Sequence, residues 1–189
     1  YVKWSPVNGA TGYNVYCDGV QIDSMLIRQY QGYFRADMVG IKSGSHTIKV
    51  VPVINGTEDV SNAASQTLTS IAHDRSGFAF SKGKALGAYN GDGTLKSGAV
   101  VVYVTDSTKD SVKATIGGVS VTGFQNIVNA CQDSTVPVAI RCIGNITDPS
   151  TLDKGDLLVD KIKCGLTIEG IGSDTTFNGF GVRIKGSSD

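Results

Sequence analysis

Three short stretches decide the fold of this chain: VAIRCIG at 138–144, GLTIEGIG at 165–172 and GFGVRIKG at 179–186. Each alternates apolar with polar or small residues and ends on glycine, which is typical of short strands that finish at tight corners. Repeated in succession, the pattern predicts stacked coils of a parallel β-solenoid. Such a coil buries its apolar face only against its neighbours, so a few coils leave an open hydrophobic end. We therefore expect the front part of a larger protein. The predicted inward-facing residues are Val138, Ile140, Cys142, Leu166, Ile168, Val182 and Ile184, with Ala139, Arg141, Thr167, Glu169, Arg183 and Lys185 between them.

A short helix is predicted just before these strands. In GFQNIVNACQ (123–132), Phe124, Ile127, Val128 and Cys131 follow the i, i+3, i+4, i+7 spacing of one apolar helix face. A helix at this point would cover the end of the stack and protect its edge.

The first part of the chain shows a different pattern, with several short strands at close spacing. Val2 and Trp4 share one face, the segment 12–23 is a hairpin that turns at Asp18-Gly19, and 33–41 and 46–54 supply two further strands. The pattern predicts a β-sandwich over residues 1–70, ending in an edge strand and a linker, and a second unit over 71–189.

Composition limits the classes of partner. The chain has 189 residues, 18% of them charged, and a net charge of zero. This balance excludes a disordered chain and gives no electrostatic reason to expect nucleic acid as a partner. No apolar run reaches the roughly 20 residues that span a bilayer, so we expect no membrane insertion.

The first unit resembles a fibronectin type III domain. The resemblance rests on Trp4 and Pro6, on Gly12-Tyr13 and Val15-Tyr16, and on IKSGSHTIKVVPV at 41–53. Two features depart from the family. Its first strand would precede Tyr1, and the tyrosine expected near the start of the penultimate strand is replaced by His46.

The second unit, over residues 74–189, resembles the N-terminal portion of a pectate lyase-like polysaccharide lyase. The segments that carry the resemblance are RSGFAF, GAYNGDGTLKSGAVVVYVTD, TGFQNIVNA, VPVAIRCIGNITDP, KGDLLVD and TIEGIGSDTTFNGFGVRIKG. The resemblance implies a right-handed parallel β-helix in a secreted or cell-surface protein. It also implies calcium-assisted β-elimination of polygalacturonate, in which Ca²⁺ bridges the protein and the substrate carboxylate and a basic side chain removes the proton.

In that family the calcium-binding aspartates and the catalytic arginine lie in later coils, beyond the point where this sequence stops. No catalytic, cofactor-binding or metal-binding residue is therefore assigned, and we expect the chain alone to be inactive. The expected partners are pectic polysaccharide and the remainder of the β-helix, as continuing chain or second polypeptide. The alternative is a non-catalytic β-helix adhesin or carbohydrate-binding surface protein, because fold alone does not carry function.

Other polar groups have simpler interpretations. Asp148, Asp153, Asp156 and Asp160 form an acidic group that is interpreted as a solvated loop around a strand rather than as a weak calcium site. The segment 90–93, NGDG, is interpreted as a turn, since the later acidic ligands of a calcium loop are missing. Gly170-Ile171-Gly172 is interpreted as a corner between strands. His46 and His73 are the two histidines, and His73 is placed at the exit of the linker.

The four cysteines, Cys17, Cys131, Cys142 and Cys164, lack metal-site spacing and are interpreted as free thiols, with a Cys142–Cys164 disulfide as the less favoured alternative. Tyr13, Tyr16, Tyr30 and Tyr33 are candidates to stack on sugar rings, with packing in or around the sandwich core favoured. Asn55 and Asn145 match the glycosylation pattern.

Overall fold

The computed structural model describes residues 1–72, 74, 76 and 87–186. The chain divides into two compact units, Tyr1–His73 and Asp74–Asp189. Strands dominate both units, which confirms the all-β fold class. No helix among the described residues is long and apolar enough to cross a membrane.

The first unit has two antiparallel sheets. Its strands are β1 (Val2–Trp4), β2 (Gly12–Cys17), β3 (Val20–Gln21), β4 (Ile27–Tyr30), β5 (Tyr33–Ala36), β6 (Gly44–Ile54), β7 (Thr57–Glu58) and β8 (Ala64–Ser70), with 3₁₀ turns at Ser24–Leu26 and Val60–Asn62. One sheet has the order β1-β5-β4; in the other, β3, β2 and β6 follow in order and both β7 and β8 pair with β6.

Alternation along β2 builds the core of the first unit. Val15 and Cys17 are buried and pack with Ala36 and Ile48, while the residues between them face outward. The predicted hairpin is confirmed, because Asp18 and Gly19 both have positive φ (50° and 81°), as the two-residue turns that match strand twist require. The predicted edge strand is also present, as β8.

The second unit is built on parallel strands. Its elements are β9 (Val100–Thr105), β10 (Lys113–Ile116), β11 (Val119–Thr122), α1 (Phe124–Ala130), β12 (Val138–Thr147), β13 (Asp156–Asp160), β14 (Leu166–Asn178) and β15 (Gly181–Lys185). The parallel sheets have the orders β14-β12-β9 and β13-β15, and β10 and β11 form an antiparallel hairpin.

The register of these sheets places apolar residues in rows. Val138 pairs with Val100 on one side and with Leu166 on the other, and the predicted inward residues Val138, Ile140 and Cys142 are all buried. The opposite face of β12 is also covered, since Ala139 and Arg141 are 0% and 4% exposed. Strand β12 is therefore buried on both faces, as central parallel strands generally are.

The β15 edge of the β13-β15 sheet is not covered by another described strand. Leu157 and Val159 of β13 are 0% and 8% exposed, whereas their partners Val182 and Ile184 on β15 are 44% and 72% exposed. Val182 and Ile184 form rows with Leu157 and Val159 of β13, and the prediction that the third stretch would stack on the second is wrong, because β15 pairs with β13 and not with β14. No further strand covers β15 among the described residues.

One predicted corner is a bulge instead. Gly170 and Gly172 lie inside β14, where the register with β12 shifts between Ile143 and Asn145. Gly172 has a φ of 89°, so glycine at this position accommodates the extra residues of the bulge. The change of direction between β14 and β15 occurs later, at Gly179, which also has positive φ.

The predicted helix is confirmed, and it lies along the edge of β13. Phe124, Ile127 and Val128 are buried, as is Cys131 directly after the helix. Gln125, 3% exposed, donates from Nε2 to the carbonyl oxygen of Leu158 (2.9 Å) and accepts at Oε1 from the Leu158 amide (2.8 Å). This side chain thus takes the position of a neighbouring strand and satisfies both backbone groups of Leu158.

Candidate functional site

Among the described residues, a closely connected group of charged and aromatic side chains lies on the outer face of the β9-β12-β14 sheet. The register places Tyr103, Arg141 and Glu169 in one row across the three strands. Arg141 donates from Nε to Glu169 Oε1 (3.0 Å) and from its two terminal nitrogens to the hydroxyls of Tyr103 (2.9 Å) and Tyr89 (3.2 Å). Tyr89 in turn donates its hydroxyl hydrogen to Glu169 Oε1.

Burial and hydrogen bonding together keep Arg141 charged and Tyr89 neutral. Desolvation opposes the charge on Arg141, but its hydrogen bonds with Tyr89, Tyr103 and Glu169 outweigh that cost and raise its pKa further. Burial, followed by the hydrogen bond to Glu169, raises the pKa of Tyr89. Tyr89 therefore remains a neutral donor and Arg141 a permanent cation at neutral pH.

The segment around Tyr89 covers the network. The Ala88 amide donates to Thr167 Oγ1 (2.9 Å), and Lys96 Nζ donates to the carbonyl oxygen of Gly87 (2.7 Å). With Arg141 only 4% exposed and its guanidinium engaged by three partners, the network fixes this segment to the sheet and offers no open cation to a ligand.

A second group of side chains lies on the outward face of β1, β5 and β4 in the first unit. The rings of Tyr30 and Tyr33 stack 5.1 Å apart at an interplanar angle of 11°. Lys3 Nζ lies 4.8 Å from the centroid of the Tyr33 ring, and Arg28 Cζ lies 5.5 Å from that of Tyr30. We call Tyr1, Lys3, Arg28, Tyr30, Tyr33 and Arg35 the tyrosine-cation face. It combines flat rings with positive charge.

The four tyrosines singled out in the sequence separate into two groups. Tyr13 lies in the core of the first unit, 7% exposed, and its ring contacts Trp4 and Phe34. Tyr16 is half-buried and donates to Glu58 Oε1. Of these four tyrosines, Tyr30 and Tyr33 belong to the tyrosine-cation face.

The acidic group does not converge on one point. Arg183 contacts Asp153 Oδ2 (2.5 Å) and lies 3.7 Å from Asp156 Oδ2, so two of the four carboxylates share a cation. Asp148 and Asp160 lie against Gly179 and Gly186. Among the described residues, these aspartates form no group of three that could hold a metal ion.

The cysteines are free, and the pair that lies close together is not the one considered from the sequence. Cys142 is buried in β12 and pairs with Gly170 of β14 in the strand register. Burial raises the pKa of the Cys142 thiol to about 12. The thiols of Cys131 and Cys164 interact, which raises the pKa of Cys131. The Cys131 thiol donates to the Ile127 carbonyl oxygen (3.5 Å), and the Cys164 amide donates to the Cys131 carbonyl oxygen (3.2 Å). A disulfide in the second unit would thus join Cys131 and Cys164.

The NGDG segment, the two glycosylation-pattern asparagines and His73 were also singled out in the sequence. The segment 90–93 is a turn, closed by the Gly93 amide and the Asn90 carbonyl oxygen (3.1 Å). Asn55 and Asn145 are exposed. His73 lies outside the described residues.

His46 has partners that the sequence did not predict. Its Nδ1 lies 2.6 Å from Asp18 Oδ2, and its Nε2 lies 2.9 Å from the carbonyl oxygen of Lys42. The hydrogen bond with Asp18 raises the pKa of His46, and the bond with His46 lowers the pKa of Asp18.

Sequence reasoning missed the Arg141–Glu169 network, although a signal for it existed. Arg141 and Glu169 occupy the same place in VAIRC and LTIEG, the outward position after two alternations. Opposite charges at equivalent places of stacked strands are neighbours in a parallel sheet, so the pair could have been predicted from the repeat. Tyr89 could not, because it comes from a segment outside the repeat.

Comparisons of the chain with protein-family models, with curated proteins and with solved structures find no match.

Proposed function

We propose that this chain is the front part of a secreted or cell-surface polysaccharide lyase of the pectate lyase type. In this proposal the first unit is a fibronectin type III-like sandwich, and the second is the N-terminal cap and first coils of a right-handed parallel β-helix. The observation that carries the proposal is the pair of parallel sheets, β14-β12-β9 and β13-β15, with α1 along the edge of β13. Parallel strands in two sheets with a cap at one edge are what stacked coils require.

The open row on β15 supports a further coil. Val182 and Ile184 extend the rows of Leu157 and Val159 and are the exposed members of those rows. A following coil, whether continuing chain or second polypeptide, would bury them, at roughly 25 cal/mol per Å² of apolar surface removed from water.

Calcium does not fit the described acidic residues. Arg183 forms ion pairs with Asp153 and Asp156, and no third carboxylate among the described residues lies close enough to these two to complete a metal site. When bound elsewhere in the protein, calcium would neutralise the uronate carboxylate and acidify the adjacent carbon-bound proton. We therefore derive no catalytic step for this chain, whose role in the proposal is to cap and begin the coil stack.

Two measurements on the source protein test the proposal. The first is its intact mass under denaturing conditions. A mass above the 19.8 kDa of this chain, or a second polypeptide that co-purifies with it, is expected. The second follows the unsaturated product of polygalacturonate cleavage by ultraviolet absorbance, with calcium and with a chelator. Calcium-dependent product is expected from the source protein and not from residues 1–189 alone. A mass of 19.8 kDa without a companion, or no product with calcium present, would refute the lyase.

The tyrosine-cation face favours a second candidate, a carbohydrate-binding protein without catalysis. Tyr30 and Tyr33 stack on each other, so they would meet a sugar through their ring edges and hydroxyls. Lys3 and Arg28, which lie over these rings, carry the positive charge that suits the carboxylates of an acidic polysaccharide. Arg35 is held by Asp37 through hydrogen bonds of 2.5 to 3.0 Å and serves mainly to fix the face.

Affinity electrophoresis of residues 1–189 in gels that contain polygalacturonate tests this second candidate. Retardation by polygalacturonate, and less by a neutral polysaccharide, is expected, together with its loss in Tyr33→Ala and Arg28→Gln. Tyr16→Phe, which changes a tyrosine outside the face, is the matched control and should be retarded like the unmodified chain. Equal retardation of all variants would exclude the face as the binding surface.

A further inference from the structure

One end of the first unit brings together three side chains of different chemistry. Cys17 ends β2, Asp18 follows it in the hairpin turn, and His46 lies near the start of β6, whose residue Ile48 pairs with Cys17. The thiol sulfur, a carboxylate oxygen and a ring nitrogen of these residues all lie within 4.8 Å of one another. Among the described residues, no other group of three cysteine, histidine or acidic side chains converges in this way.

Hydrogen bonds already orient two of the three groups. The Thr47 amide donates to Asp18 Oδ1 (2.8 Å), which leaves Oδ2 directed at His46. A carbonyl oxygen only accepts, so His46 Nε2 must carry the hydrogen that it donates to Lys42 (2.9 Å). Nδ1 donates to Asp18 Oδ2 (2.6 Å) in the metal-free ion pair, so it becomes a ligand only by giving up that hydrogen when a metal binds. Histidines that bind metals are usually held in this way, with the other ring nitrogen donating to a backbone carbonyl or carboxylate.

We propose that Cys17, Asp18 and His46 form a binding site for a divalent transition metal of the zinc class. Sulfur, nitrogen and carboxylate oxygen are the three donor types that zinc takes in proteins, whereas calcium and magnesium take oxygen ligands. Three protein ligands leave a fourth position open. Asp18 has a side chain 52% exposed, so solvent can reach the site from the Asp18 side.

The distances are compatible with a small adjustment on binding. Zinc bonds of about 2.0–2.3 Å in a tetrahedral arrangement place the ligand atoms about 3.2–3.7 Å apart. The present spread of up to 4.8 Å must contract slightly, and the 2.6 Å contact between His46 Nδ1 and Asp18 Oδ2 must open by about 1 Å. Rotation of exposed Asp18 can open its contact with His46, and the Cys17 and His46 side chains must close the remaining separation.

The competing explanation is an ion pair beside a core thiol. His46 and Asp18 contact each other directly, and Cys17, 9% exposed, packs with Val15 and Ala36 in the sandwich core. In that case the thiol and the ion pair are neighbours without a common ligand. The two explanations differ in one observable, because only a shared metal bonds to the Cys17 sulfur.

Cobalt(II) is the probe that reports on such a bond. The full 189-residue chain, without a histidine tag and kept reduced, is titrated with Co²⁺ and followed by absorbance. A charge-transfer band from sulfur to cobalt, saturating at one equivalent, is expected, and Zn²⁺ should displace it. Thermal denaturation with Zn²⁺ gives a second readout, since a ligand that binds the native state alone raises Tm.

Single substitutions identify the ligands. Cys17→Ser should remove the charge-transfer band, and Asp18→Asn, which keeps the oxygen that Thr47 contacts, should weaken Co²⁺ binding about 10-fold or more. His46→Gln should weaken it similarly, while His73→Gln, the chain's other histidine, is the matched control and should bind normally. Circular dichroism of each metal-free variant checks that it folds. Absence of the band in the unmodified chain, or its persistence in Cys17→Ser, would overturn the proposal. Either result is independent of lyase activity.

Discussion

Replacement of Gln125 by alanine should destabilise the second unit through the edge of β13 rather than through the apolar core. The Gln125 side chain donates to the Leu158 carbonyl oxygen at 2.9 Å and accepts from the Leu158 amide at 2.8 Å. Alanine removes both partners at once, and no described strand lies beside β13 at that edge to replace them.

The magnitude follows from the two backbone groups that lose their partners. A buried donor or acceptor left without a hydrogen bond costs about 1–3 kcal/mol, so two such groups cost about 2–6 kcal/mol. Alanine recovers a few tenths of a kcal/mol through its better helix propensity. We expect the free energy of unfolding of the second unit to fall by about 3–4 kcal/mol.

Urea denaturation measures that change, and hydrogen exchange at the Leu158 amide locates it. Asn129→Ala is the matched control, because exposed Asn129 shares the Gln125 amide (2.9 Å) but does not contact Leu158. The control should change stability by about 0.5 kcal/mol or less. A loss below about 1 kcal/mol in Gln125→Ala, with the Leu158 amide still protected, would refute the role assigned to this side chain.

Three other perturbations test the interior of the second unit. Because burial raises the pKa of Cys142 from 9.0 to about 12, the neutral thiol stabilises the fold fully below pH 9, and that stability is lost as the pH rises towards 12. The stability of the unmodified chain relative to Cys142→Ala should therefore fall over that range by an amount on the order of 4 kcal/mol, and parallel urea midpoints would contradict this. Glu169→Gln removes the carboxylate beside buried Arg141 and should cost about 3 kcal/mol in urea denaturation, an expectation that a loss under about 1 kcal/mol would exclude. Refolding in a glutathione redox buffer should cross-link Cys131 with Cys164 by thiol–disulfide exchange, and a peptide map that shows Cys142 joined to Cys164 would contradict the observed pairing.

Local patterns were enough to predict several of the elements, although not β4, β7 or the β10-β11 hairpin. The hairpin at Asp18-Gly19 depends on two adjacent residues, and helix α1 depends on an apolar spacing that no strand shares. The rows through Val138 and Leu166 follow from the period of two in the strands. Each of these signals is contained within about ten residues of sequence, the range over which periodicity is informative.

Contacts between distant segments could not be predicted in the same way. Cys164 meets Cys131 because the chain passes the end of α1 just before β14, a path that alternation within one strand does not show. Asp18 and His46 meet only because β2 and β6 are neighbours in one particular register. A shift of one residue in that register would have turned His46 to the other face of the sheet.

The contrast between the two edges of the β13-β15 sheet gives the stack a direction of growth. At one edge the Gln125 amide occupies the hydrogen-bonding groups of Leu158, so an incoming strand would first have to displace a buried side chain. At the other edge β15 presents its backbone together with exposed Val182 and Ile184. An added strand, from the same molecule or from another, can therefore join this sheet at β15 alone, and any extension of the sheet is unidirectional. Such one-way growth prevents two molecules from pairing through their α1 edges, and it leaves β15 as the surface where self-association through this sheet would begin.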